Sequence, residues 1–141
     1  MHVKLALLAD YANVTNDGKL NILGVFDRVF VAALPAVLPQ MQLVLRFGAE
    51  YAERDRPQHV EITLDDPDGR RLIALAADVM VHGASPGQSM TSDQILTLGN
   101  LRLERPGGHT FNIFINNHLV HHLTMEVEIL PTTEQPRLPG T

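Results

Sequence analysis

Cysteine and tryptophan are missing from this chain of 141 residues, and aromatic side chains make up only 5% of it. Without cysteine there can be no disulfide framework, thiolate metal site or cysteine nucleophile; this fits a reducing compartment, and a cytosolic location is expected, although a cysteine-free secreted protein would look the same. The scarcity of aromatic rings counts against a stacking platform for sugars or single-stranded nucleic acid. Tyr11, Tyr51 and Phe114 are the residues that a carbohydrate-binding face could draw on. No window approaches the ~20 apolar residues of a membrane-spanning helix. The opening MHVKLALLADYAN has neither a basic leader nor a small-residue cleavage site, so neither a signal peptide nor a membrane partner is expected.

Positive charge is also short, with a formal net charge of −5. A general nucleic-acid binder needs a basic face to neutralise phosphates, so the charge argues against that class and no nucleic-acid partner is expected. Arg54, Arg56, Arg70 and Arg71 lie near Asp55, Asp65, Asp66 and Asp68 and read as charge-balanced, solvated turns. The chain has no Gly-x-Ser-x-Gly elbow, no phosphate-cradling glycine loop and no dinucleotide fingerprint. Asp65, Asp66 and Asp68 precede Gly69 without the later bidentate glutamate of a calcium loop. No cofactor is expected.

What is present is two-residue alternation along most of the chain, with 45% hydrophobic and 19% charged residues. Val3, Leu5, Leu7, Ala9 and Tyr11 line one face of a first strand, and Asn16-Asp17-Gly18 turns it into a second, Leu20 to about Val31. Ala32 to Met41, broken by Pro35 and Pro39, reads as a crossing loop with room for one helical turn. Leu43 to Tyr51 and Val60 to Leu64 alternate cleanly. Leu72 to Val81 is apolar on both faces except at Asp78, which predicts a central strand. His82 to Asp93 reads as a mobile loop, and a phase change at Gly99 predicts a β-bulge. The expected fold is all-β, an antiparallel sandwich or flattened barrel of about eight strands with at most one short helical turn. Residues 1–130 form a single domain in this reading, and the proline-rich residues 131–141 a flexible tail.

The segment Gly108 to Ile129 holds four of the seven histidines and reads as a closing hairpin. A three-residue loop, Asn116-Asn117-His118, sets Ile115 opposite Leu119, Ile113 opposite His121 and Phe111 opposite Leu123. One face then carries His109, Phe111, Ile113, Ile115, Leu119, His121, Leu123, Met125, Val127 and Ile129. His121 and His122 point to opposite faces, and His109 lies ~13 Å along the strands from His121. Zinc needs its ligand atoms at ~2 Å, so no metal site is expected.

Two further candidates lie in the first hairpin. A two-residue turn at Asp17-Gly18 places Leu8 opposite Asp27 and Asp10 opposite Val25. Asp10 and Asp27 are then diagonal neighbours on an apolar face, where paired carboxylates with separated pKa values could serve acid–base chemistry or hold a small ligand. The blander alternative pairs one of them with Arg28 or Arg46. The same face carries Leu8, Leu23, Val25, Val29 and Val31, and such a patch marks an interface unless the sandwich covers it with its own loops.

The runs LALLADYANVTNDGKLNILGVFDRV (Leu5–Val29) and GGHTFNIFINNHLVHHLTMEVEI (Gly107–Ile129) resemble a family of small, functionally uncharacterised bacterial proteins. The resemblance implies a compact cytosolic β-sandwich and supplies no catalytic residues. The reading that emerges is a non-catalytic binding protein that associates with itself or with another protein. An enzyme or small-ligand binder using Asp10 and Asp27 is the first alternative, and a carbohydrate-binding module the second.

Overall fold

The computed structural model describes residues 1–83 and 85–131. Nine strands follow one another: β1 (His2–Val14), β2 (Leu20–Phe26), β3 (Arg28–Val31), β4 (Ala36–Ala49), β5 (Gln58–Asp65), β6 (Arg71–Val79), β7 (Met90–Leu103), β8 (Gly107–Ile115) and β9 (His118–Ile129). They form a four-stranded sheet in the order β2-β1-β4-β7 and a five-stranded sheet in the order β3-β9-β8-β5-β6. All pairings are antiparallel except β3 with β9. The protein is an all-β sandwich. Both sheets stay open, so the barrel alternative falls away.

The core is built from alternating positions of facing strands. Leu43, Leu45 and Phe47 of β4 are fully buried and belong to one cluster with Leu64 of β5, Phe111 and Ile113 of β8 and Met125 of β9. Each such side chain stabilises the fold by about 1.5–3 kcal/mol relative to leaving it in water. On β8 the alternation is complete: His109, Phe111, Ile113 and Ile115 are buried, while Thr110, Asn112 and Phe114 are only half covered.

Several expectations need correction. The run Leu20 to Val31 is two strands, because the chain bends at Asp27 and passes from the edge of one sheet to the edge of the other. There the Glu126 amide donates to the Asp27 carbonyl at 2.9 Å. This split turns eight strands into nine. Ala36 to Met41 is strand rather than loop, and Pro39 is tolerated because β1 no longer pairs with β4 beyond Gln42. Among the described residues the one helical turn is a 3-10 turn at Tyr51–Glu53. β7 already starts at Met90, which shortens the expected loop, and Ala84 within that loop lies outside the described residues. The expected tail lies outside them from residue 132 onward.

The phase change near Gly99 is real, but no residue is inserted. β4 and β7 keep one unbroken register from Ala36 opposite Leu103 to Ala49 opposite Met90. Asn100, beside Pro39, has φ +51°, and on either side of it Leu98 and Leu101 both reach the core, as do Met41 and Leu38. The two strands turn over together. The closing hairpin has a two-residue turn, with Asn116 and Asn117 both at positive φ (49° and 66°) and Ile115 opposite His118. A bulge follows between Ile113 and Phe114, which restores Ile113 opposite His121 and Phe111 opposite Leu123. Leu119 therefore faces Phe114 and stands in solvent, as does His121, while His109, Met125 and Val127 are buried.

β6 departs most from expectation. It is the end strand of its sheet rather than a central one. Its outward positions, Ala74 and Ala76, are apolar because they are small, and both are exposed.

Candidate binding surfaces

The first hairpin is closed by five residues, Thr15 to Lys19, with Val14 opposite Leu20. Its register differs by one from a two-residue turn, so Leu8 faces Phe26 and Ala9 faces Val25. Asp10 instead lies over Gly24, where φ is +70° and any Cβ would collide with the Asp10 carboxylate. Asp10 and Asp27 are both exposed and open onto different depressions. Asp10 shares its own with Arg28, Pro39 and Gln40, whereas Asp27 lies beside Leu123 and Thr124. The structure does not bring the two carboxylates together, and the acid–base pair loses its geometric basis. Arg28 pairs with Glu128 at 3.2 Å, and Arg46 grips Asp93 through two bonds of 2.7 and 3.0 Å, so neither arginine serves these carboxylates.

The one-residue shift also divides the apolar candidates. Leu8 and Val31 are core residues, and Val29 packs half-buried against that core. Leu23 and Val25 remain in solvent, at 65% and 61% exposure. The outer face of β1 is covered by the chain's own hairpin. Ala9, Ala12 and Val44 form a second buried cluster, with Leu7, Leu20, Ile22 and Ile95 packed on it. Gln42 ties this layer down: its Oε1 accepts from the Ala12 amide and its Nε2 donates to Thr97 Oγ1 at 3.2 Å. An expected patch of five residues is thus reduced to two.

A different surface emerges at the opposite side of the sandwich. There the sheets end in β6 and β7, and the gap between them is an apolar cleft of about 570 Å³ including its open mouth. Leu45 and Phe47 form its floor, with Val60, Ile62, Leu75 and Leu96 on its walls. Leu75, which points towards the core alongside Ile62, is still 42% exposed because β7 does not extend over it. Sequence reasoning missed this site. The available signal was a strand apolar on both faces except at Asp78, whose apolar residues on the outer face are only the alanines Ala74 and Ala76.

Residues 4–128 match the profile of a family of unknown function, DUF6941. The chain belongs to that family. No curated protein matches this DUF6941 chain. Among solved structures it is similar to an alkylpurine DNA glycosylase from Pseudomonas fluorescens bound to DNA containing an abasic site analogue, at 12% identity and a TM-score of 0.41. That likeness covers 87% of the present chain and spans only 30% of the glycosylase chain. It is also similar to an immunoglobulin-like protein from Pseudomonas aeruginosa, at 15% identity and a TM-score of 0.37, covering 90% of this chain and 95% of that one.

The histidines of the DUF6941 chain are scattered. His109 is buried while His118, His121 and His122 are exposed, and the adjacent rings of His121 and His122 are 6.5 Å apart. Among the described residues no group of three or more histidine or acidic side chains is arranged to hold a metal ion. His82 Nδ1 lies 2.8 Å from Asp55, and His59 on β5 has two acidic neighbours, its Nδ1 3.1 Å from Asp78 and its Nε2 3.1 Å from Glu61. Asp78 above all, and then Glu61, raise its pKa above the ordinary 6.5. The β5–β6 register, with His59 opposite Asp78, creates this contact. Tyr11 and Phe114 lie on different sheets, so they do not form one aromatic platform. None of the described helices is long and apolar enough to cross a membrane.

Proposed function

We propose that this DUF6941 protein is a non-catalytic binding protein that acts as a single β-sandwich domain in the bacterial cytosol and associates with itself or with another protein. The observation that carries the reading is the β6 edge. From Leu72 to Ala77 the strand contains no charge, proline or glycine, and it ends its sheet with backbone groups facing solvent on one side. Sheet edges are commonly blunted by charges, prolines or bulges, because a bare edge templates the addition of another strand. Added strands gain affinity from main-chain hydrogen bonds and specificity from alternating side-chain pockets. The cleft beneath Leu75 supplies such a pocket.

The β2 edge, with exposed Leu23 and Val25, fits less well because Gly24 at φ +70° breaks it mid-strand. β6 keeps one register with β5 from Ile73 to Val79. A cytosolic location accords with the absence of cysteine. The test is Ala76→Lys, which sets a charge on an exposed position of the edge. Compared with the unmodified protein by native-state mass spectrometry after tagged purification from the host, the variant should lose its bound protein or its self-association. Identical assemblies from both would overturn the reading.

A further inference from the structure

We infer that the partner seated on the β6 edge is a second copy of the same chain, with the two β6 strands pairing antiparallel about a two-fold axis at Leu75. This rests on the reading of β6 as a binding edge and goes on to name its occupant and register. A two-fold axis normal to the sheet keeps the core-facing sides of both copies on one side. Each residue can therefore oppose only a residue of the same orientation. Ile73, Leu75 and Ala77 point inward, opposite Leu64, Ile62 and Val60 of β5; Ala74, Ala76 and Asp78 point outward, opposite Thr63, Glu61 and His59.

The two charges at the ends of the strand select the register. Between Asp65 and Leu64 the β5–β6 pairing shifts by one residue, so Leu72 is inserted and Arg71 takes the outward position before Ala74. Its Nε donates to outward-facing Asp65 at 3.2 Å. With the axis at Leu75, Ala74 meets Ala76 of the second copy, Ile73 meets Ala77, and Arg71 meets Asp78. The symmetry makes this ion pair twice, once at each end of the new seam. An axis at Ala74 or Ala76 sets both charges against uncharged residues. Asp78 uses Oδ1 for His59, which leaves its second oxygen for the arginine. Both side chains are exposed and can reach across the edge.

The product is one continuous sheet of ten strands, made from two sheets of five. The paired Leu75 side chains then close the mouths of the two apolar clefts, which meet beneath them. Opposite charges placed directly across an antiparallel pair stabilise it and fix its register, and like charges oppose it.

Size-exclusion chromatography with light scattering, run over a range of concentrations on the full chain, should give a dimer. Arg71→Asp and Asp78→Arg should each weaken the dimer about tenfold or more by placing like charges face to face. The double variant Arg71→Asp/Asp78→Arg should regain it. Because the chain has no cysteine, Leu75→Cys should give a disulfide-linked dimer on oxidation, while Leu23→Cys on β2 should not. Thermal unfolding of each variant at the wild-type temperature shows that the fold survives. A wild-type protein that is monomeric throughout would overturn self-pairing. If Ala76→Lys still strips a bound protein from that monomer, the binding reading stands alone. A dimer insensitive to both charge reversals and unlinked by Leu75→Cys would place the contact elsewhere and overturn the inference.

Discussion

His109 lies in the core with its Nδ1 3.1 Å from the Gly107 carbonyl oxygen, and its Nε2 has no hydrogen-bond partner among the described residues. A donor at Nδ1 leaves Nε2 as a buried acceptor with its hydration removed, a cost of about 1–3 kcal/mol. His109→Leu should therefore hold or raise stability by about 1 kcal/mol, whereas His109→Ala, which opens a cavity, should lose about 2–4 kcal/mol. Urea denaturation of the pair checks this, and a clearly destabilised leucine variant would reveal a partner for Nε2. His59 makes the opposite case, because its neighbours favour the charged ring. Its folded pKa is raised above 6.5 by Asp78 and then Glu61. The stabilisation is therefore complete below the unfolded value and is lost as pH rises through the folded one. An NMR titration should show the His59 midpoint above 6.5 in the wild type and closer to it in Asp78→Asn. The hairpin histidines caught the eye in the sequence by their density. His59 drew no notice because Asp78, nineteen residues along the chain, joins it only through strand pairing.

At the scale of the element, alternation made β4, β5 and β8 legible, because each has one face on the core and the other nearer solvent or a second layer. Turns were harder. The closing hairpin needed a two-residue turn plus a bulge, and a three-residue loop gives the same register beyond the bulge. Asn117, at φ +66°, should accept glycine with no loss of stability, whereas Asn117→Val should cost about 1–2 kcal/mol in chemical denaturation. The curled first hairpin hangs on Gln42. Gln42→Leu leaves the buried Ala12 amide without an acceptor, so it should cost about 1–3 kcal/mol. Faster hydrogen exchange at Ala12 than at core amides of β4 would locate the loss in the hairpin.

For the whole molecule, the sandwich has one side where Asp27 carries the chain between sheets and another where β6 and β7 leave a cleft open. At the first of these sides, the one-residue register shift of the β1–β2 hairpin separates two residues that the sequence had put on one face. Leu8→Asp should prevent folding, since it buries an unpaired carboxylate, and Val25→Asp should change stability by no more than about 0.5 kcal/mol. Circular dichroism melts distinguish them. By itself, the sequence determined the all-β class and the inward rows of β4, β5 and β8, because alternation relates each residue to its neighbours two positions away. Tertiary structure alone decided that β6 is an edge, that Leu8 is core while Val25 is surface, and that Asp10 and Asp27 stand apart. Those outcomes depend on strand order and on register between distant segments, where a shift of one residue sends every side chain to the opposite face.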